Sequence, residues 1–261
     1  MIDIFKNIKK YSDYIFYSTK SKLKSEVSRS YLNTLWWILN PLCHMLIYIF
    51  IVEIVFKSKE QYFPIFVLIG ITLWNYFSKM LTSSIKLITN NKSIITKAYI
   101  PKYILLIINS LNLLFKMLIS VLIIAILMIF FKIQISINIL MFIPIITVLY
   151  VITFGLSLIL SHLGVFMDDL TNIVDLLLKF IYYFSGIFYS IITRIPKPFN
   201  DILLNFNPVA FLINETRNVL IFKTPCNYLN LLIWFIIGII ISIIGLKIVK
   251  KHENTYVKVM Q

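Results

Sequence analysis

The sequence predicts an all-α membrane protein: six transmembrane helices, an N-terminal cytoplasmic amphipathic helix, and short re-entrant extracytoplasmic helices between spans five and six. Three observations predict it. Of 261 residues, 59% are apolar and only 14% charged, where ordinary soluble domains carry about a quarter charged residues. The apolar residues gather into runs of bilayer length, in which a helix satisfies every backbone amide without water. Lys and Arg, finally, concentrate on one side of these runs. Together these features exclude a water-soluble catalytic domain of any size.

Residues 3–20 place Ile4, Ile8, Tyr11 and Ile15 on one helical stripe, with Lys6, Lys9, Lys10, Asp13 and Lys20 around the rest. This pattern suits a helix lying in the membrane interface, its basic face against lipid phosphates, and equally a helix docking on a partner; the two are compatible. Met1 to Arg29 has no apolar core of signal-peptide kind, so no cleaved targeting segment is expected and the first span acts as an uncleaved signal. The spanning runs are 36–56, 62–80, 104–131, 140–166, 173–192 and 229–246. A single domain, 1–261, follows: an interface helix over 1–30, a six-span bundle over 36–246 and a cytoplasmic tail over 247–261.

Six spans put both termini on one side. That side carries sixteen Lys and Arg, spread before the first span, from Lys79 to Lys102, and after the last span. The other side carries seven, namely Lys57, Lys59, Lys132, Arg194, Lys197, Arg217 and Lys223, while Lys116 and Lys179 fall within spans. The bias places both ends in the cytoplasm. Four of the outer seven sit in one long segment, 193–228, and long loops weigh little in this comparison, which strengthens it. Within that segment Pro196 and Pro198 break the fifth span, and Asn207-Pro208 opens a half-apolar run, Val209 to Phe222, expected to form short helices dipping into the outer leaflet against protein. The net charge of +14 thus follows from topology and anionic head groups, and nucleic acid is not an expected partner.

Little in the chain suggests catalysis. None of the six glycines is followed by Lys, so the phosphate cradle of an ATPase is missing and any ATP hydrolysis is expected from another chain. Cys43 and Cys226 lack metal-ligand spacing. Asp168-Asp169 could bind a divalent metal, as in a membrane glycosyltransferase, or cap the helix after a short turn; no His or third acid stands near, so no metal site is expected. His44, Glu53 and Lys116 fall in apolar spans, where a charge costs roughly 2.5–3.5 kcal/mol at the bilayer centre. They are expected to face a bundle interior or cavity, or, for Glu53 and Lys116, to sit near a span end. No Ser, His and Asp arrangement can be assembled, and no catalytic residue is assigned. Aromatic residues are denser: Trp36, Trp37, Tyr48 and Phe50 in the first span, and Tyr182, Tyr183, Phe184, Phe188 and Tyr189 in the fifth. An interface belt accounts for Trp36 and Trp37. The cluster deep in the fifth span also suits a path for sugar rings, which stack on aromatic faces.

Three stretches carry a family resemblance. Tyr31 to Pro41, Tyr-Leu-Asn-Thr-Leu-Trp-Trp-Ile-Leu-Asn-Pro, is similar to a Leu-Gly-x-Leu-Trp-x-x-Leu-x-Pro entry into a first span, with Asn33 where Gly is common. Phe66 to Phe77 is followed by Asn90 to Pro101, and Asn207-Pro208-Val209-Ala210 runs on through Glu215 and Arg217. In this order and spacing, over nearly the whole chain, they resemble the permease subunit of bacterial ABC transporters that export polysaccharides such as O-antigen, capsule and teichoic acid.

The resemblance implies a homodimer in the bacterial cytoplasmic membrane carrying two ATPase subunits. Those subunits would bind ATP and Mg, leaving no cofactor in this chain, and a lipid-linked polysaccharide would pass between the permeases. The nine aromatic residues of the first and fifth spans would line the channel. Lys20, Lys22, Lys24 and Arg29 would clamp a lipid pyrophosphate at the cytoplasmic mouth, although positive-inside charge alone accounts for the same four. The 86–100 loop would be the coupling helix against the ATPase, presenting Lys86, Asn90, Asn91, Lys92, Lys97 and Tyr99, with Trp74 and Pro101 anchoring its ends. Two alternatives stay open: a membrane-embedded glycosyltransferase or polymerase using Asp168 and Asp169, and a related permease for drugs or simple lipids.

Overall fold

The computed structural model describes residues 2–28, 31–57, 60–97 and 99–260, and every regular element among them is helical. The expected N-terminal helix is two, α1 (Ile2–Lys10) and α2 (Ser12–Val27), hinged at Tyr11. Helix α3 (Trp36–Ile49) continues through a wider π-helical stretch to Val55. Next come α4 (Phe63–Ile85), the short α5 (Leu87–Asn90) and α6 (Lys92–Lys97), then α7 (Lys102–Phe130) and α8 (Phe142–Phe166). The chain ends with α9 (Leu170–Tyr183), α10 (Ile191–Arg194), α11 (Phe199–Phe206), α12 (Pro208–Arg217), α13 (Tyr228–Lys251) and α14 (Glu253–Met260).

Five helical stretches are long and apolar enough to cross a bilayer: Trp36–Val55, Phe63–Ile85, Lys102–Phe130, Ile137–Phe166 and Tyr228–Lys251. They are the expected spans one to four and six. Helix α4 is their centre, with 78% of its most apolar window buried against 17–33% for the others, so the outer helices keep apolar faces for lipid or a partner.

Helices α8 and α13 pack in parallel. Gly238 lies against Ile152, Gly155 against Ser242 and Gly245 against Leu158, so residue numbers climb together. The contact is close because small residues let backbones approach; a Cβ on Gly155 would stand 2.7 Å from the Ser242 nitrogen. The Ser242 hydroxyl also donates to the Val151 carbonyl at 2.9 Å. Parallel helices start at the same end of a bundle, so the chain between Phe166 and Tyr228 has to travel back along its length.

That return departs from expectation. A single helix was predicted over 173–192, but α9 stops at Tyr183, and its 14 residues cover only about 21 Å of a roughly 30 Å hydrocarbon layer. Gly186 takes a left-handed φ of 62°, which no right-handed helix accommodates. The carbonyls of Gly186 and Ile187 turn instead toward Arg217. Short helices do follow over 193–228. Pro208 opens α12, and the Asn207 side chain caps it, its Oδ1 accepting the amides of Val209 (3.0 Å) and Ala210 (3.2 Å). Residues Val209 to Ile213 are buried against the bundle.

Two cores result. The larger surrounds α4, and the smaller closes the end that carries both termini, where Ile15, Ile88, Ile95, Ile104, Val249 and Tyr256 draw α2, α5, α6, α7, α13 and α14 together.

Candidate functional site

The break after α9 turns aromatic rings toward α3. Tyr48 stacks on Phe188 with ring centres 5.5 Å apart and planes 5° from parallel, and its hydroxyl bonds that of Tyr182. Tyr182 meets Tyr183 at 5.4 Å and Trp74 at 5.3 Å, and Phe188 meets Tyr189 at 5.3 Å. Tyr48, Tyr182, Tyr183, Phe188 and Tyr189 wall an open cavity of about 460 Å³ with Ile51, Val52 and Phe56. Five of the nine aromatic residues singled out from sequence therefore converge. Four do not: Phe50 is exposed, Phe184 lines a separate cavity with Phe77, Phe180 and Phe206, and Trp36 and Trp37 lie eleven or more residues back along α3.

Arg217 holds the break in place. Its guanidinium is buried and donates from Nε (3.1 Å) and Nη2 (3.0 Å) to the Phe66 carbonyl, from Nη1 to the Gly186 carbonyl (2.7 Å) and from Nη2 to the Ile187 carbonyl (2.6 Å). It also lies 3.4 Å above the Phe66 ring. Backbone that leaves a helix inside an apolar bundle needs donors of this kind for its carbonyls.

Near the termini-bearing end, α2 runs beside the first turns of α7. The Lys22 ammonium donates to Asn109 Oδ1 (2.6 Å), and Asn109 Nδ2 donates to Ser83 Oγ (2.7 Å). Glu26 accepts from Asn112 Nδ2 (3.4 Å) and pairs with the Lys116 ammonium. Burial lowers the Lys22 pKa, with the Glu26 carboxylate opposing this and the Lys116 charge adding to it. Lys116 is thus the polar partner of α2. A cavity of about 80 Å³ between α3, α4 and α7 is lined by Trp36, Trp37, Lys79 and Lys116 among others.

Of the cations assigned to a phosphate clamp, Lys20 and Lys24 are exposed, Lys22 turns to the other side of α2 and is tied to Asn109, and Arg29 lies outside the described residues. In the predicted coupling loop, Lys86, Asn90, Lys92 and Lys97 are exposed around buried Ile88 and Ile95, while Asn91 bonds back to the Leu87 carbonyl (2.7 Å). Pro101 is buried at the N-cap of α7. Trp74 lies away from this loop, in the aromatic cluster, eleven residues before the end of α4. Glu253 of α14 joins Pro101 at the far end of the loop, Oε1 accepting the Lys102 amide (3.1 Å) and Oε2 the Tyr99 hydroxyl (3.2 Å). Its charge, and burial after it, hold the Tyr99 phenol above its ordinary pKa.

Asp168 and Asp169 are exposed in the turn before α9, and Asp169 stands at the N-cap without a side-chain cap bond. Among the described residues no group of three His, Cys, Asp or Glu could hold a metal. His44 is exposed and bonds its own helix at Asn40 (2.8 Å), and Glu53 is exposed near the far end of α3. Sequence reasoning missed Glu26, Asn109, Asn112 and Glu253; polar residues inside or beside apolar runs were the available signal.

The family profile described as ABC-2 type transporter matches residues 15–221. Two proteins from Klebsiella pneumoniae, each named O-antigen export system permease protein RfbA, are 28% and 30% identical over 249 residues, covering 95% of this chain and 95% of each relative. A protein of the same name from Myxococcus xanthus is 24% identical over 219 residues, 84% of both chains.

Proposed function

The chain belongs to the ABC-2 type transporter family, and from that membership we propose that it is the membrane permease subunit of an ATP-driven polysaccharide exporter. Two copies would pair in the bacterial cytoplasmic membrane with two copies of a separate ATPase and pass a lipid-linked polysaccharide outward. What carries this reading is the ring-lined cavity of Tyr48, Tyr182, Tyr183, Phe188 and Tyr189, in a chain matched almost end to end by permeases named for O-antigen export. Aromatic faces hold sugar rings without demanding one sequence of sugars, which suits a conduit.

On this reading α9, the break after it and the short helices α10 to α12 together make the fifth of six crossings. Both termini are cytoplasmic, by the excess of Lys and Arg at their end. Helices α11 and α12 re-enter the outer leaflet. The exposed Lys86 before α5 and Lys92 and Lys97 of α6 face the ATPase, and α1 and α2 lie at the cytoplasmic interface.

Deletion and complementation test the proposal. Removing the chain should strip polysaccharide from the cell surface and accumulate it inside, and the wild-type chain should restore it. The chain should also co-purify with an ATPase encoded beside it. Normal surface polysaccharide after deletion would favour the drug or simple-lipid permease instead. Loss of polymer assembly in Asp168→Asn with Asp169→Asn would favour the glycosyltransferase.

A further inference from the structure

The cavity between α3, α4 and α7 collects donors of positive charge at one height in the bundle. Lys116 and Lys79 both line it, and the Lys79 ammonium forms no hydrogen bond or ion pair among the described residues. Thr72 and Tyr76 also line it, each 3% exposed, with hydroxyls that find no partner. Asn75 adds an amide. Buried polar groups are ordinarily bonded, and two orphan hydroxyls in one cavity point to an acceptor brought from outside. The neighbouring carboxylate is Glu26, which reaches in from α2 to pair with Lys116. Lys22, Lys79 and Lys116 against Glu26 leave an excess of two positive charges; on the other flank of Lys79, Asp175 is offset by Lys179.

We propose that this cavity seats the phosphate headgroup of a membrane lipid, held by Lys79 and Lys116, with Glu26 acting as an internal anion that the headgroup displaces. Size agrees: a cavity of about 80 Å³ is well above the roughly 10–15 Å³ that one water needs and has room for a phosphate group. Height agrees as well. Lys79 is six residues from the end of α4, about 9 Å along its axis, so its long side chain enters the cavity from the side nearer the termini-bearing end. Displacing Glu26 would remove one of the polar ties between α2 and α7 while Lys22 stays bonded to Asn109, so headgroup occupancy would be felt at the C-terminal end of α2.

Two lipids share this chemistry, a prenyl diphosphate such as a glycan carrier and an ordinary bilayer phosphate such as phosphatidic acid. The seat rests on the exporter reading only for the first of these. The test uses the permease with its ATPase partner in phosphatidylcholine nanodiscs. Each lipid is titrated in turn, and emission of Trp36 and Trp37, which line the cavity, reports binding. Lys79→Gln with Lys116→Gln should weaken binding by at least about tenfold, since it removes both charge-assisted contacts. Glu26→Gln should tighten it several-fold, a gain that a folding defect cannot imitate. A response to the prenyl diphosphate alone assigns the seat to the carrier, and a response to both assigns it to lipid phosphate in general. Unchanged affinity for both lipids in the double variant, or weaker binding in Glu26→Gln, overturns the seat. Neither result touches the exporter reading, which stands or falls on surface polysaccharide after deletion.

Discussion

Arg217 and Phe66 are joined three ways: Nε and Nη2 both donate to the Phe66 carbonyl, at 3.1 and 3.0 Å, and the guanidinium lies 3.4 Å above the Phe66 ring. The same side chain bonds the carbonyls of Gly186 and Ile187. One residue of α12 therefore fastens the break after α9 to the central helix. Arg217→Met should leave three carbonyls short of a donor, at about 1–3 kcal/mol each. For a chain this size the thermal midpoint in detergent should fall by roughly 10 °C. Arg217→Lys should recover only part of this, because an ammonium lacks the planar fork that reaches several carbonyls. Equal midpoints for all three proteins would refute the clamp.

Tyr183 and Phe188 separate conduit from packing. Tyr183 is 62% exposed, whereas Phe188 stacks on Tyr48. If rings hold passing sugars, Tyr183→Ala should slow export roughly fivefold for a contact of about 1 kcal/mol with little change in thermal stability. Phe188→Ala should slow export and lower stability together. Pulse-chase appearance of polymer at the cell surface gives the rate, and unchanged rates in both variants would remove the conduit.

What the sequence revealed follows from the range of the forces involved. Spans one to four and six are continuous apolar runs, a local property, and each was placed within a few residues. The end of α9 was not legible, because 173–192 stays apolar throughout and the partner that stabilises its break, Arg217, lies thirty residues further on. Pairing of Glu26 with Lys116 spans ninety residues and hides from any window. The division of the aromatic residues is equally a matter of packing: Trp36 and Trp37 belong to the cavity with Lys79, about 16 Å along α3 from the rings around Tyr48.

Lys22 differs from its basic neighbours in a measurable way. Its ammonium is bonded to Asn109 at 2.6 Å, while Lys20 and Lys24 are exposed. Lys22→Ala should cost about 1.5–3 kcal/mol, the worth of a hydrogen bond to a charged group. Lys20→Ala and Lys24→Ala should stay within about 0.5 kcal/mol of wild type. Thermal unfolding of the three variants in one detergent would show the contrast, and similar midpoints would place Lys22 with the topology-setting charges.

Gly155 and Ser242 set the spacing of the parallel pair α8 and α13. Gly155→Ala would bring a methyl group to 2.7 Å from the Ser242 nitrogen, and because that neighbour is backbone one helix must move. Overpacking of this kind costs about 1–3 kcal/mol, and Gly155→Leu should cost more. Expression of detergent-stable protein should fall in the order Gly155, Ala, Leu. An alanine variant as stable as wild type would show that the helices can part without loss.

Glu253 offers a way to separate coupling from assembly. Its carboxylate, 8% exposed, takes the Lys102 amide at the start of α7 and the Tyr99 hydroxyl just before it. A cap supplied from another helix ties α14 to the end of the predicted coupling loop. Glu253→Ala should cost about 1 kcal/mol, typical of a lost N-cap, too little to unfold the bundle. A loop that transmits motion from an ATPase needs a stiff far end, however, and loosening it should lower substrate-stimulated ATP turnover more than basal turnover. Co-purification of the ATPase should be unchanged, because the exposed Lys92 and Lys97 are untouched. Glu253→Gln keeps an oxygen for the Lys102 amide and should fall between the two. If stimulated and basal turnover drop in proportion, α14 stabilises the fold without stiffening the loop.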